Sequence, residues 1–124
     1  MVDTMWNDQT TTMQTLKDSL QKFNADRDWE QFHTPKDLAM CVSAEAGELL
    51  ECFLWKDESS DVDLDAVQEE LADIMITAAN LGARLNIDLM KAVERKLAVN
   101  AERYPVALAR GRATKHTHLP KVVT

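Results

Sequence analysis

Glycine and proline are scarce in this sequence, three of each in 124 residues. A β-sandwich or barrel, with turn residues at roughly every 8–12 positions, needs more of both. The glycine-rich loops that cradle phosphate are missing too, since neither GxxxxGKS/T nor GxGxxG occurs. Cysteine is limited to Cys41 and Cys52. On one helix, eleven positions apart, they would lie about 16 Å from each other at a rise of ~1.5 Å per residue, too far for a disulfide. They form no CxxC pair, and His33, His116 and His118 do not stand at zinc spacing from them. No apolar run approaches the ~18 residues of a membrane helix. Residues 1–12 are polar and lack the apolar core of an export signal. These absences predict a cytoplasmic protein with reduced thiols.

Acid is what the chain has in excess: 21 Asp and Glu against 14 Lys and Arg, a net charge of −7. So acidic a domain repels long nucleic acid, whereas hard cations favour carboxylate oxygens. The charge is unevenly spread. After Pro105 come Arg110, Arg112, Lys115 and Lys121 and no acid, so the end is +4 and the rest −11 (−7 minus 4). The expected organisation is a loose arm over 1–12, one all-α domain over 13–105 and a basic, mobile tail over 106–124.

Apolar residues recur at helical spacing and no strand pattern appears. Leu16, Leu20 and Phe23 predict a short helix over 13–25. Thr34-Pro35 is a start signal for a helix over 36–55. A polar loop leads to a long helix over 64–85, and Asp88 is a natural N-cap for one over 89–103, which Tyr104-Pro105 ends. Asp61-Val62-Asp63-Leu64-Asp65 mimics half an EF-hand loop, but Ala66 stands where the turn glycine belongs and Ala72 where the bidentate Glu belongs. It is read as a solvated loop.

On a wheel of about 100° per residue, Leu38, Val42, Leu49 and Cys52 form one apolar stripe, with Glu45 at its centre, Glu48 at its edge and Glu51 pointing to solvent. A carboxylate in a core stripe is costly unless paired or bound to metal. In the long helix, Val67, Leu71, Ile74, Ala78, Leu81 and Leu85 make a core stripe, and Ala72, Ile76 and Ala79 a second apolar face. Two apolar faces on so short a chain suggest a subunit interface as well as an internal core. Glu70, Asp73 and Thr77 form a narrow strip beside the first stripe, with Glu69 facing solvent.

Glu45/Glu48 and Glu70/Asp73 are thus two i, i+3 acidic pairs, each on one helix face. Antiparallel packing would converge all four, and four converged carboxylates do not all stay charged without a cation. Oxygen-only ligands suit Mg²⁺, with Mn²⁺ as a substitute, rather than zinc. Lys96, Asn100 and Arg103 share a face of the last helix and are suited to phosphate. Trp29, Phe32, His33 and Trp55 flank the second helix and could stack on a base.

In order along the chain, Arg27-Asp28-Trp29-Glu30-Gln31-Phe32-His33, Glu45-Ala46-Gly47-Glu48-Leu49 with Trp55-Lys56, Glu70-Leu71-Ala72-Asp73, and Lys96 through Asn100 to Arg103-Tyr104-Pro105 resemble the MazG-like all-α nucleotide pyrophosphohydrolases, specifically their dCTP pyrophosphatase branch. The resemblance spans about residues 13–110. It implies an all-α helical bundle whose core is completed by homodimerisation, usually paired again into a tetramer. It implies Mg²⁺-dependent hydrolysis of a nucleoside triphosphate to monophosphate and pyrophosphate. Glu45, Glu48, Glu70 and Asp73 would hold the metal, Trp29, His33 and Trp55 the base and sugar, and Lys96, Asn100 and Arg103 the phosphates. Animal dCTP-specific members carry His where this chain has Leu20 and Tyr where it has Thr77, both beside the pocket. Thr77 therefore joins the substrate-binding set, and strict cytosine preference is not implied.

Glu48 is the candidate to orient or deprotonate the attacking water. A di-iron or di-manganese oxidase would want Glu-x-x-His, and neither Glu48 nor Asp73 is replaced by His. A helical dimerisation or adaptor module leaves Glu45 unexplained. A dUTPase-like pyrophosphohydrolase would share the metal logic and differ in substrate.

Overall fold

The computed structural model describes residues 5–57 and 61–121. Of the sequence expectations, the first four residues of the arm, Glu58 of the acidic loop and the last three residues of the tail lie outside the described residues. The described residues form α1 (Met13–Asp26), α2 (Pro35–Glu51), α3 (Leu64–Arg84), α4 (Leu89–Arg103) and the short α5 (Val106–Ala109), with 3-10 turns at Glu30–Phe32 and His116–His118, and no strand among them. None of these helices is long and apolar enough to cross a membrane.

Each of the four long helices starts on a side-chain cap. Thr12 Oγ1 accepts the Thr15 N–H at 3.1 Å and Thr34 Oγ1 the Asp37 N–H at 3.2 Å, with Pro35 opening α2. Asp63 Oδ1 accepts from the Asp65 and Ala66 N–H groups at 3.1 and 3.3 Å, and Asp88 Oδ1 from Lys91 at 3.0 Å. Each cap satisfies a donor that the helix itself cannot, and is worth about 1 kcal/mol. Asp63, in the segment that mimics an EF-hand, is thus an N-cap. Before α1, Asn7 Oδ1 accepts the N–H groups of Gln9 and Thr10 at 2.9 and 3.0 Å, an Asx turn.

Two compact units divide at Ile87 and Asp88. In the first, α2 and α1 both pack on α3. Leu38 is buried and Val42, Glu45, Leu49 and Cys52 are half-buried, while the rest of α2 is exposed, so the expected stripe faces inward with Glu45 in it. Both cysteines are free thiols. On α3, Ala79 and Gly82 are buried, and small residues at these positions allow close approach. Val67, Ile74, Ala78 and Leu81 of the expected α3 stripe are half-buried, but the inner face extends toward the acidic strip. Leu71 and Leu85 are each 48% exposed, whereas Glu70, Asp73 and Thr77 are half-buried.

α2 is also shorter than the apolar pattern through Phe53 and Leu54 predicts. The N–H groups of Cys52 and Phe53 bond three residues back, to Leu49 and Leu50, at 3.1 and 2.9 Å. The chain then turns through Trp55 at φ 61°, and no glycine marks this exit. In the second unit α4 has the bounds predicted for it. Beyond it, His116 rests edge-on against Tyr104, with ring centroids 5.6 Å apart.

Candidate metal and nucleotide site

Glu45 and Glu48 lie one turn apart on α2, and Glu70 and Asp73 one turn apart on α3. Packing of the two helices brings the pairs together: one carboxylate oxygen from each of the four lies within 4.8 Å of the others. Glu48 is exposed and the other three are half-buried. Glu45 Oε2 and Glu70 Oε2 are buried without a hydrogen-bond partner. Such atoms are rare in folded proteins, because the lost hydration is not replaced.

The electrostatics match this geometry. Burial, followed by the close approach and charge of Glu48 and then the charges of Glu45 and Asp73, pushes Glu70 up to about 7. Glu45 is raised as well, first by burial and then by Glu48 and Asp73, with the approach of Glu70 opposing. Among the described residues no lysine or arginine is ion-paired with any of the four. Two orphaned buried oxygens, four converging carboxylates and an all-oxygen donor set fit a hard divalent cation.

Thr77 follows Asp73 by one turn. Its Oγ1 donates toward the carbonyls of Asp73 and Ile74, at 3.0 and 3.1 Å. With its proton engaged by the helix, the hydroxyl offers a ligand lone pairs only.

The aromatic candidates sit at both ends of α2. His33 is half-buried just before the Thr34 cap. Trp29 is 45% exposed and meets Phe23 edge-on, with ring centroids 5.7 Å apart. The Arg27 guanidinium lies 3.7 Å from the Phe23 ring centre. Trp55 projects fully into solvent.

In the second unit, Lys96, Asn100 and Arg103 share a face of α4, and the Asn100 carbonyl accepts the Tyr104 N–H at 2.8 Å. Burial, then the charges of Arg103, Lys115 and Lys96, hold His116 below the usual imidazole value. This end of α4 is therefore cationic. Lys115, from the basic segment after Pro105, contributes to it.

Two residues absent from the sequence expectations stand out. Asn24 of α1 is buried, and its Nδ2 donates to Asn80 Oδ1 of α3 at 3.0 Å. Neither carries a local signal, since an asparagine within a helix reads as solvated surface and the partners are 56 positions apart.

Residues 40–119 match the MazG-like family. The chain is 41% identical over 117 residues to dCTP pyrophosphatase 1 of Rattus norvegicus, covering 89% of this chain and 69% of that protein. It is 42% identical over 120 residues to dCTP pyrophosphatase 1 of Bos taurus, covering 91% and 71%. The crystal structure of a pyrophosphatase from Archaeoglobus fulgidus superposes with a TM-score of 0.68 at 35% identity, over 81% of this chain and 98% of that one. With residues 40–119 matched by the family and two thirds or more of each of these relatives covered, the chain belongs to the MazG-like family.

Proposed function

We propose that this protein hydrolyses dCTP, or a related or modified deoxynucleoside triphosphate, to the monophosphate and pyrophosphate, with Mg²⁺ held by Glu45, Glu48, Glu70 and Asp73. It is a nucleoside triphosphate pyrophosphohydrolase, a reading supported by its dCTP pyrophosphatase relatives and its pyrophosphatase structural neighbour. The observation that carries the metal assignment is the pair of buried, unpartnered oxygens on Glu45 and Glu70 inside a four-carboxylate cluster. Mg²⁺, or Mn²⁺ in its place, supplies charge neutralisation of the triphosphate and a bound water of lowered pKa.

The remaining work falls to side chains. Glu48 is exposed, unlike the other three, and the proposed reading gives it the task of orienting the attacking water and taking its proton. The water oxygen forms a bond to phosphorus as the phosphoanhydride bond breaks in line, and pyrophosphate leaves with the electron pair. Trp29, His33 and Trp55 provide the base and sugar platform, and Thr77 an acceptor. The family resemblance assigns Lys96, Asn100 and Arg103 of the second unit to the phosphates. Leu20 and Thr77 lack the hydrogen-bonding reach of the His and Tyr of dCTP-specific members, so modified bases belong among the candidate substrates.

We also assign assembly to a second copy of the chain. Among the described residues no large side chain is fully buried, and Leu71, Met75, Phe53 and Leu54 are 44–56% exposed. That is more apolar surface than a short lone chain readily leaves in water. Light scattering on the eluted protein should read a dimer or tetramer, and a monomer at micromolar concentration would remove this part of the proposal.

The activity test is a panel of ordinary and modified nucleoside triphosphates with Mg²⁺, reading pyrophosphate and orthophosphate separately. Pyrophosphate in equal amount to monophosphate, suppressed by EDTA, is expected. Orthophosphate as the first product, or no turnover across the panel, overturns the assignment.

A further inference from the structure

Helix α1 ends in a hydrogen-bonded turn whose hub is Asn24. Its carbonyl accepts the N–H groups of Arg27 and Trp29, at 3.2 and 3.0 Å. The chain reaches Trp29 through Asp28 at φ 54°, a left-handed residue that fixes the direction of the exit. Arg27 closes the turn from outside, with its guanidinium over the Phe23 ring and donating to the Phe23 carbonyl at 3.0 Å. Phe23 in turn supports the Trp29 indole at 5.7 Å between centroids. Residues 23–29 are thus locally bound together, with Trp29 half-exposed at one end.

The tie from this turn to α3 is the amide pair. Asn24 is only 7% exposed, and its Nδ2 donates to Asn80 Oδ1 at 3.0 Å. Asn80 stands at i+7 from Asp73 and i+3 from Thr77, so the three lie on one side of α3. The main chain that holds Trp29 is therefore bonded to the helix that carries Glu70 and Asp73. Two apolar side chains would pack in this seam without the cost of desolvating two amides. A directional bond adds a fixed register between α1 and α3, which apolar contact defines less sharply.

We propose that Asn24 and Asn80 are positioning residues for nucleotide binding, setting the Trp29 platform at a fixed place relative to the carboxylates of α3. This rests on Trp29 being part of the nucleotide platform. The pair does not touch the reacting atoms. Its effect is on how well the base is received while the metal is held elsewhere, so it should act on KM rather than on kcat.

The experiment uses Asn24→Ala/Asn80→Ala, which removes both partners and orphans neither, together with Asn80→Asp, which keeps an acceptor for Asn24 Nδ2. Three readouts are taken: KM and kcat for the best nucleotide of the panel with Mg²⁺, hydrogen exchange at the Trp29 amide, and the indole N–H resonances of the three tryptophans, with that of Trp29 assigned by its loss in Trp29→Phe. KM should rise about tenfold with kcat held within about twofold. Trp29 amide exchange should quicken and the Trp29 indole signal shift or broaden while those of Trp6 and Trp55 stay. Asn80→Asp should recover most of the effect. If the double variant does not fold, Asn80→Ser, which shortens the acceptor, is read in the same way.

Unchanged KM and an unmoved Trp29 signal would overturn the proposal. So would equal losses in kcat and kcat/KM with Trp29 unmoved, because that is the mark of a merely structural pair. A parent protein that turns over no nucleotide refutes the nucleotide reading instead. The exchange and indole measurements would still report whether the amides hold Trp29.

Discussion

Helix α3 meets two neighbours, and the two seams treat buried polar groups in opposite ways. Against α1, Asn24 Nδ2 donates to Asn80 Oδ1 at 3.0 Å, and neither residue is among those with a buried, unpartnered side-chain oxygen or nitrogen. Against α2, Glu45 and Glu70 each present a buried oxygen with no partner, and like charges crowd within 4.8 Å. Both seams are polar where apolar packing would serve stability at least as well. The first is closed and can act only by holding its own parts in place. The second is left open, and that open valence marks it as the place where something from outside the chain binds.

The most damaging way to break this contrast is to neutralise one member of the open seam. On the proposed metal assignment, Asp73→Asn or Glu48→Gln removes a ligand charge and a share of the transition-state stabilisation. A loss of several kcal/mol corresponds to about a thousandfold in kcat. The metal-free Tm should hold or rise, because removing one of several crowded like charges relieves repulsion in the folded state. Wild-type kcat in either variant would remove that residue from the metal set. A large fall in Tm would show that the cluster is structural.

The second test sharpens the comparison through pH. Glu70 is raised from an ordinary 4.5 to about 7, so between those values the folded state holds a proton that the unfolded state releases. Its stabilising contribution is complete below about 4.5 and is lost as pH rises through about 7. Glu45, raised for the same leading reason, has the same sign. Without divalent metal, Tm should therefore fall as pH rises across this window, and Mg²⁺ should restore it most at the alkaline end, where the carboxylates are ionised. Glu70→Gln should flatten the metal-free profile and lose the gain from Mg²⁺. Replacing the Asn24–Asn80 pair should leave both behaviours intact. A wild-type profile that coincides with that of Glu70→Gln would refute the account of Glu70.

What the sequence made legible follows from how far each feature reaches. Local chemistry carried well: Thr34-Pro35, Asp88 and the bounds of α4 can be read because a cap is decided by a few adjacent residues. Wheel position carried as far as the faces of a single helix. It placed Glu45 inside the α2 stripe, where it lies, but ranked Leu71 and Leu85 as core on α3, where both are half-exposed. A wheel orders the faces of a helix without saying which one meets a neighbour, and convergence of the four carboxylates had to be assumed from antiparallel packing. Asn24 with Asn80 is a purely tertiary fact, and nothing near either residue announces the other. The early end of α2 was hidden for a related reason, since Phe53 and Leu54 continue a helical apolar pattern in residues that leave the helix.

That exit holds the smallest and most discriminating of the expected effects. Trp55 lies at φ 61° with its side chain fully exposed. A left-handed conformation costs an L-residue about 1–2 kcal/mol, and an indole in water gains no burial to offset it. The proposed base platform accounts for a residue held there at a loss to folding. Trp55→Gly should remove the strain. Glycine's greater freedom when unfolded cancels part of that gain, leaving a net change within about 1 kcal/mol and a Tm at or slightly above wild type. Trp55→Ala keeps the strain and loses the ring, so it should sit no higher in Tm. Both should raise KM for the nucleotide several-fold with little change in the Tm gain from Mg²⁺, separating the base platform from the carboxylate cluster. A fall of many degrees in Trp55→Gly would mean that the indole is buried between copies of the chain. Trp55 would then belong to the apolar surface of Phe53 and Leu54 rather than to the nucleotide.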